Sequence, residues 1–313
     1  MRLVFFGTPA FALPTLEALL ESPHRVLGVV TQPDRPKGRR RLLAPPPVKE
    51  AAAARGLPIW QPANLREPAF LSLLRGLEPE VAVVVAYGKI LPPAVLDLPR
   101  HGCINVHASL LPRYRGAAPI HWAVINGESE TGVTTMYMAP ALDAGDIILQ
   151  RAVAIGTRET TGALHDRLAR LGADLLLETL DLLEAGKAPR RPQDEALASY
   201  APPLQPEDER IDWQWPAAVI FNRVRGLNPW PGAYTTWRGK RLKIWWVEPG
   251  ALAAREARPG QVLAVGGEGF SVACGSGQAL LVKELQPEGK APMEAAAFVR
   301  GYRLAPGEYL GDA

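Results

Sequence analysis

The chain has 313 residues, 47% of them hydrophobic, and its 35 Lys and Arg against 32 Asp and Glu leave a formal net charge of +3. That length suits two domains with sizeable cores, and the net charge is too modest to say much by itself. No apolar run reaches the roughly 18 residues of a membrane helix, the first residues lack a signal-peptide layout, and the two cysteines, Cys103 and Cys274, lie too far apart in sequence to suggest a disulfide framework. A protein of the reducing cytoplasm, with no membrane attachment, is the expectation.

Strand and helix patterns alternate from the start. Arg2 to Phe6 is a β run, Phe11 to Glu21 places Phe11, Leu16, Leu19 and Leu20 at helical spacing, and Val26 to Thr31 is a second β run. Helices are predicted over Pro46 to Arg55, closed by Gly56, and over Pro68 to Leu77. Val81 to Ala86 reads as a strand buried on both faces, and Cys103 to His107 as another. A helix over Pro119 to Asn126, strands over Thr131 to Tyr137 and Ile147 to Val153, and a long amphipathic helix over Thr161 to Ala185 follow. This order predicts an α/β domain over residues 1–186: a Rossmann-like, open, mostly parallel sheet with helices on both faces. Ligands of such folds bind beyond the carboxyl ends of the strands.

Lys187 to Pro206 is proline-rich, polar and aperiodic, and reads as a linker over residues 187–206. The pattern then changes. A short helix over Pro216 to Arg225 precedes β runs at Ala233 to Trp237, Arg241 to Val247, Gln261 to Val265, Phe270 to Cys274 and Ala279 to Glu284, and a last helix covers Met293 to Arg300. Residues 207–313 are therefore expected to form a small OB-like β-barrel domain.

The chemistry concentrates in Ile104 to Gly116. Asn105 and His107 end an apolar strand, share a face, and stand about 6.6 Å apart by the strand rise. The loop Leu142-Asp143-Ala144-Gly145-Asp146 supplies carboxylates beside a glycine. A histidine at a strand end is ordinarily a satisfied core residue. Asn105 on the same face, the turn Ser109-Leu110-Leu111-Pro112 and the acidic loop argue instead for acyl transfer without a metal or a covalent intermediate. His101, Cys103 and His107 do not make a metal site, because Cys103 and His107 are about 13 Å apart along an extended strand, whereas zinc holds its ligands at about 2.0 to 2.3 Å. No metal is expected.

Gly7-Thr8-Pro9-Ala10-Phe11 is a tight strand-to-helix turn, suited to an anion, but not a Gly-x-Gly-x-x-Gly fingerprint, which argues against a nicotinamide dehydrogenase. Arg35, Lys37, Arg39, Arg40 and Arg41 fall on a loop at the carboxyl edge of the second strand. Such a run is usually a solvated surface. On the same edge as His107 it also suits salt-sensitive phosphate binding to RNA. The C-terminal domain adds Arg223, Arg225, Arg238, Lys240, Arg241 and Lys243, with Trp230, Trp237, Trp245 and Trp246 as core or as base-stacking residues.

The run Asn105-Val106-His107-Ala108-Ser109-Leu110-Leu111-Pro112, with Leu142-Asp143-Ala144-Gly145-Asp146, resembles the formyltransferases that use 10-formyltetrahydrofolate. Phe6-Gly7-Thr8-Pro9, Thr31-Gln32-Pro33-Asp34-Arg35-Pro36 and Leu227-Asn228-Pro229-Trp230-Pro231 extend the likeness from Met1 to about Arg303. The resemblance implies transfer of the formyl group of a 10-formyltetrahydrofolate co-substrate to the α-amine of methionyl initiator tRNA, by a protein expected to be a monomer. It implies that Asn105 donates to the developing oxyanion, that His107 does so when protonated, and that Asp143 stabilises the imidazolium or moves a proton from the amine. The first aspartate of the loop is the catalytic one by this likeness, leaving Asp146 as a turn or capping group. Tyr87, Gly88, Leu91, Ser109, Leu110, Leu111 and Pro112 would flank the pterin, and the loop of Arg35, Lys37, Arg39, Arg40 and Arg41 would meet the tRNA acceptor arm. Two alternatives stand: a formyltransferase acting on a free small amine (glycinamide ribonucleotide or an amino sugar), and an RNA-binding module with an inert α/β domain.

Overall fold

The computed structural model describes residues 1–37, 42–250, 254 and 256–311. Two compact units divide the chain: Met1–Pro119, Thr131–Val153 and His165–Pro202 form the first, and Ile120–Glu130, Ala154–Leu164 and Pro203–Ala313 the second.

Up to residue 202 the elements are β1 (Arg2–Gly7), α1 (Leu13–Glu21), β2 (Arg25–Val30), β3 (Arg35–Lys37), β4 (Leu42–Ala44), α2 (Pro47–Ala54), β5 (Ile59–Trp60), α3 (Pro68–Leu77) and β6 (Val81–Val85), then α4 (Pro93–Leu96), β7 (Cys103–His107), β8 (Arg115–Gly116), α5 (Pro119–Ile125), β9 (Glu130–Tyr137), β10 (Ile147–Ala154), α6 (Thr161–Glu184) and β11 (Tyr200–Ala201). The main sheet of the first unit runs β10-β9-β7-β6-β1-β2-β5. Strands β1, β2, β5, β6 and β7 are parallel, and β9 pairs antiparallel with β7. The middle strands read as unbroken apolar runs because helices cover both faces: Leu3, Phe5, Val29, Val83 and Ile104 are all fully buried. From β1 the chain builds outward to β5, then returns to β6 on the other side of β1. The strand order therefore reverses at the β1–β6 junction, beyond whose carboxyl ends ligands of open α/β sheets bind. The Thr8 hydroxyl, just past β1, donates to the Tyr87 carbonyl, just past β6, at 2.9 Å.

The second unit carries α7 (Ala217–Gly226), β12 (Tyr234–Trp237), β13 (Lys240–Pro249), β14 (Val262–Gly266), β15 (Gly269–Cys274), β16 (Gln278–Pro287), β17 (Met293–Glu294) and α8 (Ala295–Tyr302). Its sheet is antiparallel, in the order β12-β13-β16-β15-β14, with β17 on β16. Ile220, Val224, Ile244, Val247, Phe270, Val282, Leu285 and Phe298 form its core.

The expected OB-like β domain is found as this antiparallel sheet, and among the described residues β12 and β14 do not pair, so the sheet stays partly open. Their edges bond to other segments instead. Ile211 N donates to Tyr234 O at 2.8 Å, and Val262 N to Glu308 O at 2.8 Å. The closing tail touches both edges, with Leu310 N donating to Gly260 O at 2.8 Å and Gly311 N to Thr236 O at 2.8 Å. These bonds protect the edges that closure would have removed.

Candidate active site

β7 lies between β6 and β9. Asn105 is the register partner of Val84 and Met136, and His107 that of Thr134. Asn105 and His107 are 8% and 7% exposed, and strand alternation puts them on one face. His107 Nε2 donates to the Tyr114 carbonyl at 2.9 Å. A carbonyl only accepts, so Nε2 carries the hydrogen and a neutral ring keeps its lone pair on Nδ1. Nδ1 lies 3.7 Å from Asp143 Oδ2, the same oxygen that accepts from the Gly116 amide at 2.8 Å.

The turn after β7 is held from β9. Thr134 Oγ1 donates to Ser109 O at 2.6 Å, and accepts from Leu111 N at 3.2 Å and from Gln150 Nε2 at 3.0 Å. Gln150 Nε2 also donates to Leu111 O at 2.8 Å, and Ser109 Oγ to Arg113 O at 2.6 Å. Ser109 and Leu111 are buried, while Leu110 and Pro112 are half-buried.

The acidic loop requires its glycine. A Cβ at Gly145 would collide with the Tyr137 carbonyl oxygen. Asp143 takes φ +49°, in the left-handed region that Asp tolerates better than most side chains. The two aspartates point different ways. Asp143 faces His107, whereas the Asp146 carboxylate meets Arg190 at 3.3 Å. That guanidinium stacks 3.7 Å above the Tyr137 ring.

Residues that pattern reading did not single out hold this loop. Gln193 Nε2 donates to Asp143 O and to Gly145 O, both at 2.8 Å. Its Oε1 accepts from Arg115 Nε at 3.1 Å and from Nη2 at 2.8 Å. Arg115, 3% exposed, also donates to both Glu195 oxygens, at 2.9 and 2.8 Å, and this hydrogen bonding holds the Glu195 carboxyl below its ordinary range. Ser199 clamps the turn further: its Oγ accepts from Tyr114 N at 2.9 Å, and its carbonyl from Arg115 N at 2.8 Å. The segment that reads as a linker is thus, through Pro202, part of the first unit.

Of the residues expected to flank a pterin, Tyr87 and Leu91 turn their side chains into the core, 2% and 1% exposed. Tyr87 packs edge-on against Phe6 with centroids 5.4 Å apart, and burial pushes its phenol up to about 12. Neither presents a side-chain surface to a ligand. Gly88 differs: at φ +83° an added Cβ would meet only Gln32 Nε2, 4.0 Å away, so backbone there faces open space. Ile90 beside it is 74% exposed.

A cavity of about 590 Å³ opens at the other end of β7 from His107, lined by Pro93, Leu96, His101, Cys103, Tyr137 and Arg190 among others. Burial pushes the Cys103 thiol up to about 12. Among the described residues no group of three His, Cys, Asp or Glu side chains suits a metal ion.

Of the basic loop, Arg35 Nη2 donates to Gln32 Oε1 at 3.3 Å and Lys37 stands in β3. Arg39, Arg40 and Arg41 lie outside the described residues. Much of the cationic charge of the second unit is engaged within it. Arg225 is buried and donates to Gly156 O and Glu159 O, and Arg223 Nη1 donates to Asp208 O. Arg238 and Arg241 pair with Glu308 and Glu209. Trp237 is core, Trp245 and Trp246 are half-buried, and Trp230 is 43% exposed.

Comparison with known proteins agrees with this architecture. Residues 1–180 match the model of the formyl transferase family, and residues 203–303 that of the formyl transferase C-terminal domain. The methionyl-tRNA formyltransferase of Moorella thermoacetica is 59% identical over 314 residues, covering 99% of both chains. The enzyme of the same name from Geobacter sulfurreducens is 52% identical over 313 residues, covering 100% of this chain and 98% of that one. Among solved structures, a sugar 3N-formyl transferase superposes with a TM-score of 0.67 at 16% identity, over 93% of this chain and 99% of that one. HypX from Aquifex aeolicus with tetrahydrofolic acid gives 0.67 at 18% identity, over 98% of this chain and 48% of that one. At such identities the structures speak for the fold alone. With both family models matched and full-length relatives above half identity, the chain belongs to the formyl transferase family.

Proposed function

We propose that this chain transfers the formyl group of 10-formyltetrahydrofolate to the α-amine of methionyl initiator tRNA, giving N-formylmethionyl-tRNA for translation initiation. The observation that carries the reading is the approach of the Asp143 loop to the end of β7, where His107 Nδ1 and Asp143 Oδ2 are 3.7 Å apart and Asn105 shares the strand face of His107, in a chain 52 to 59% identical along its length to methionyl-tRNA formyltransferases. The bond between the amine nitrogen and the formyl carbon forms, the bond between that carbon and N10 of the folate breaks, and the proton lost by the amine ends on N10. Asn105 donates its amide to the oxyanion of the tetrahedral intermediate, and a protonated His107 presents Nδ1–H to it, Nε2 being engaged by Tyr114. Asp143 uses one oxygen for the Gly116 amide, and its carboxylate offsets the imidazolium charge and accepts the amine proton.

The open backbone at Gly88 and the turn from Ser109 to Pro112 border the pterin in this reading, and the loop of Arg35, Lys37, Arg39, Arg40 and Arg41 steers the acceptor arm. No transition metal takes part. Free small amines are the less favoured substrates, because the high-identity relatives act on tRNA by name while the sugar enzyme shares only the fold. The test is transfer of labelled formyl from 10-formyltetrahydrofolate to methionyl initiator tRNA, set against glycinamide ribonucleotide and a nucleotide-linked amino sugar. Label on the tRNA alone supports the reading, and label on either small amine alone overturns it.

A further inference from the structure

The hydrogen bonds around Asp143 close into a ring. Asp143 Oδ2 accepts from the Gly116 amide at 2.8 Å. The residue before Gly116 is Arg115, whose guanidinium donates to Gln193 Oε1 at 3.1 and 2.8 Å. Gln193 Nε2 returns to the acidic loop, donating to Asp143 O and Gly145 O at 2.8 Å each. One short segment, Arg115–Gly116, thus fixes the carboxylate of Asp143 directly and its backbone through Gln193.

We infer that Gln193 is a positioning residue for formyl transfer, fixing the backbone that aims the Asp143 carboxylate at His107. The inference rests on the assignment of Asp143 as the acid of the reaction. Three observations support it. Asp143 sits at φ +49°, a conformation that persists in a non-glycine residue when its surroundings over-determine it. The two Gln193 contacts fall on the carbonyls of Asp143 and Gly145, the peptides that set the direction of the Asp143 side chain. Gln193 is itself fixed, because Arg115 is almost fully buried and divides its donors between Gln193 and Glu195. An amide is the side chain this place requires: its oxygen accepts from a guanidinium while its nitrogen donates to two carbonyls. A carboxylate of the same shape would keep Arg115 and turn an acceptor toward both carbonyls.

The test is a double-mutant cycle on the full chain, with 10-formyltetrahydrofolate and methionyl initiator tRNA at saturation. Gln193→Glu should lower kcat by at least about tenfold while KM for both substrates moves by less than about threefold, the pattern of a displaced reacting group rather than of lost binding. Gln193→Met, of similar length but without donors, should behave alike and serves if the first variant does not fold. Adding Gln193→Glu to Asp143→Asn should lower kcat by no more than about twofold beyond Asp143→Asn alone, because a residue acting through Asp143 has nothing left to position. A wild-type kcat in both Gln193 variants, or a multiplicative loss in the double variant, overturns the inference and leaves Asp143 standing. Near-normal turnover in Asp143→Asn alone removes the acid assignment and the inference with it.

Discussion

His107 turns Nδ1, and not Nε2, toward Asp143: the two atoms are 3.7 Å apart, and Nε2 is held on the Tyr114 carbonyl at 2.9 Å. The gap exceeds a direct hydrogen bond, so Nδ1 and the Asp143 carboxylate stand side by side with neither committed to the other. Asp146, three residues on, belongs to an ion pair with Arg190 at the surface.

Asp143→Asn should therefore lower kcat by at least about a hundredfold, on the scale of losing one key electrostatic group. Asp146→Asn should stay within about fivefold of wild type, since an exposed ion pair carries about 0–1 kcal/mol. Steady-state turnover of the two variants side by side checks this. Loss confined to Asp146→Asn would reverse the assignment.

Gly145→Ala should cost both stability and turnover. The added methyl collides with the Tyr137 carbonyl, and relief requires the acidic loop to shift. A destabilisation of about 1 to 3 kcal/mol is expected for such overpacking, read by urea unfolding, together with a lower kcat. An unchanged midpoint and unchanged turnover would show that the loop yields freely.

Chelation should leave formyl transfer to pre-charged tRNA intact once free magnesium for the RNA is restored. His101 and Cys103, the residues that most invite a metal reading, belong to no group of three His, Cys, Asp or Glu suited to a metal among the described residues. Elemental analysis of the purified protein is the measurement, and a stoichiometric, tightly bound transition metal would contradict it.

The parts legible in the sequence were those with local signatures. Val81–Val85 and Cys103–His107 announce themselves as apolar strands, and Asn105 and His107 interrupt the second on one face. The supports around them carry no such signal. Gln193, Glu195 and Ser199 sit in a proline-rich, aperiodic stretch, and only tertiary docking makes them partners of Arg115 and Tyr114. Tyr87 and Leu91 follow a strand end, where either core or ligand is open to them, and packing against Phe6 and its neighbours decides for core. Whether the second sheet closes depends on pairing between distant strands, which the alternation of each strand does not encode; the tail Gly307–Gly311 takes the edges instead.

Replacing Arg39, Arg40 and Arg41 with alanine should weaken productive tRNA use far more than folate binding. Each lost phosphate contact should flatten the salt dependence of tRNA affinity by roughly 0.7 to 0.9 in log–log slope. Turnover should fall as well if the loop positions the acceptor end, since a misplacement of about 1 Å can cost on the order of a hundredfold. Wild-type kinetics with an unchanged salt slope would make the loop a solvated surface.

The most direct test of the account is the single-turnover rate of labelled formyl transfer to methionyl initiator tRNA by Asn105→Ala and by His107→Ala, with both substrates saturating and folding verified by circular dichroism. The account predicts a rate at least about a hundredfold below wild type in each variant, the loss expected when an oxyanion donor is removed. A near-normal rate in either variant would contradict the role given to that residue, and in both would move the chemistry away from the end of β7.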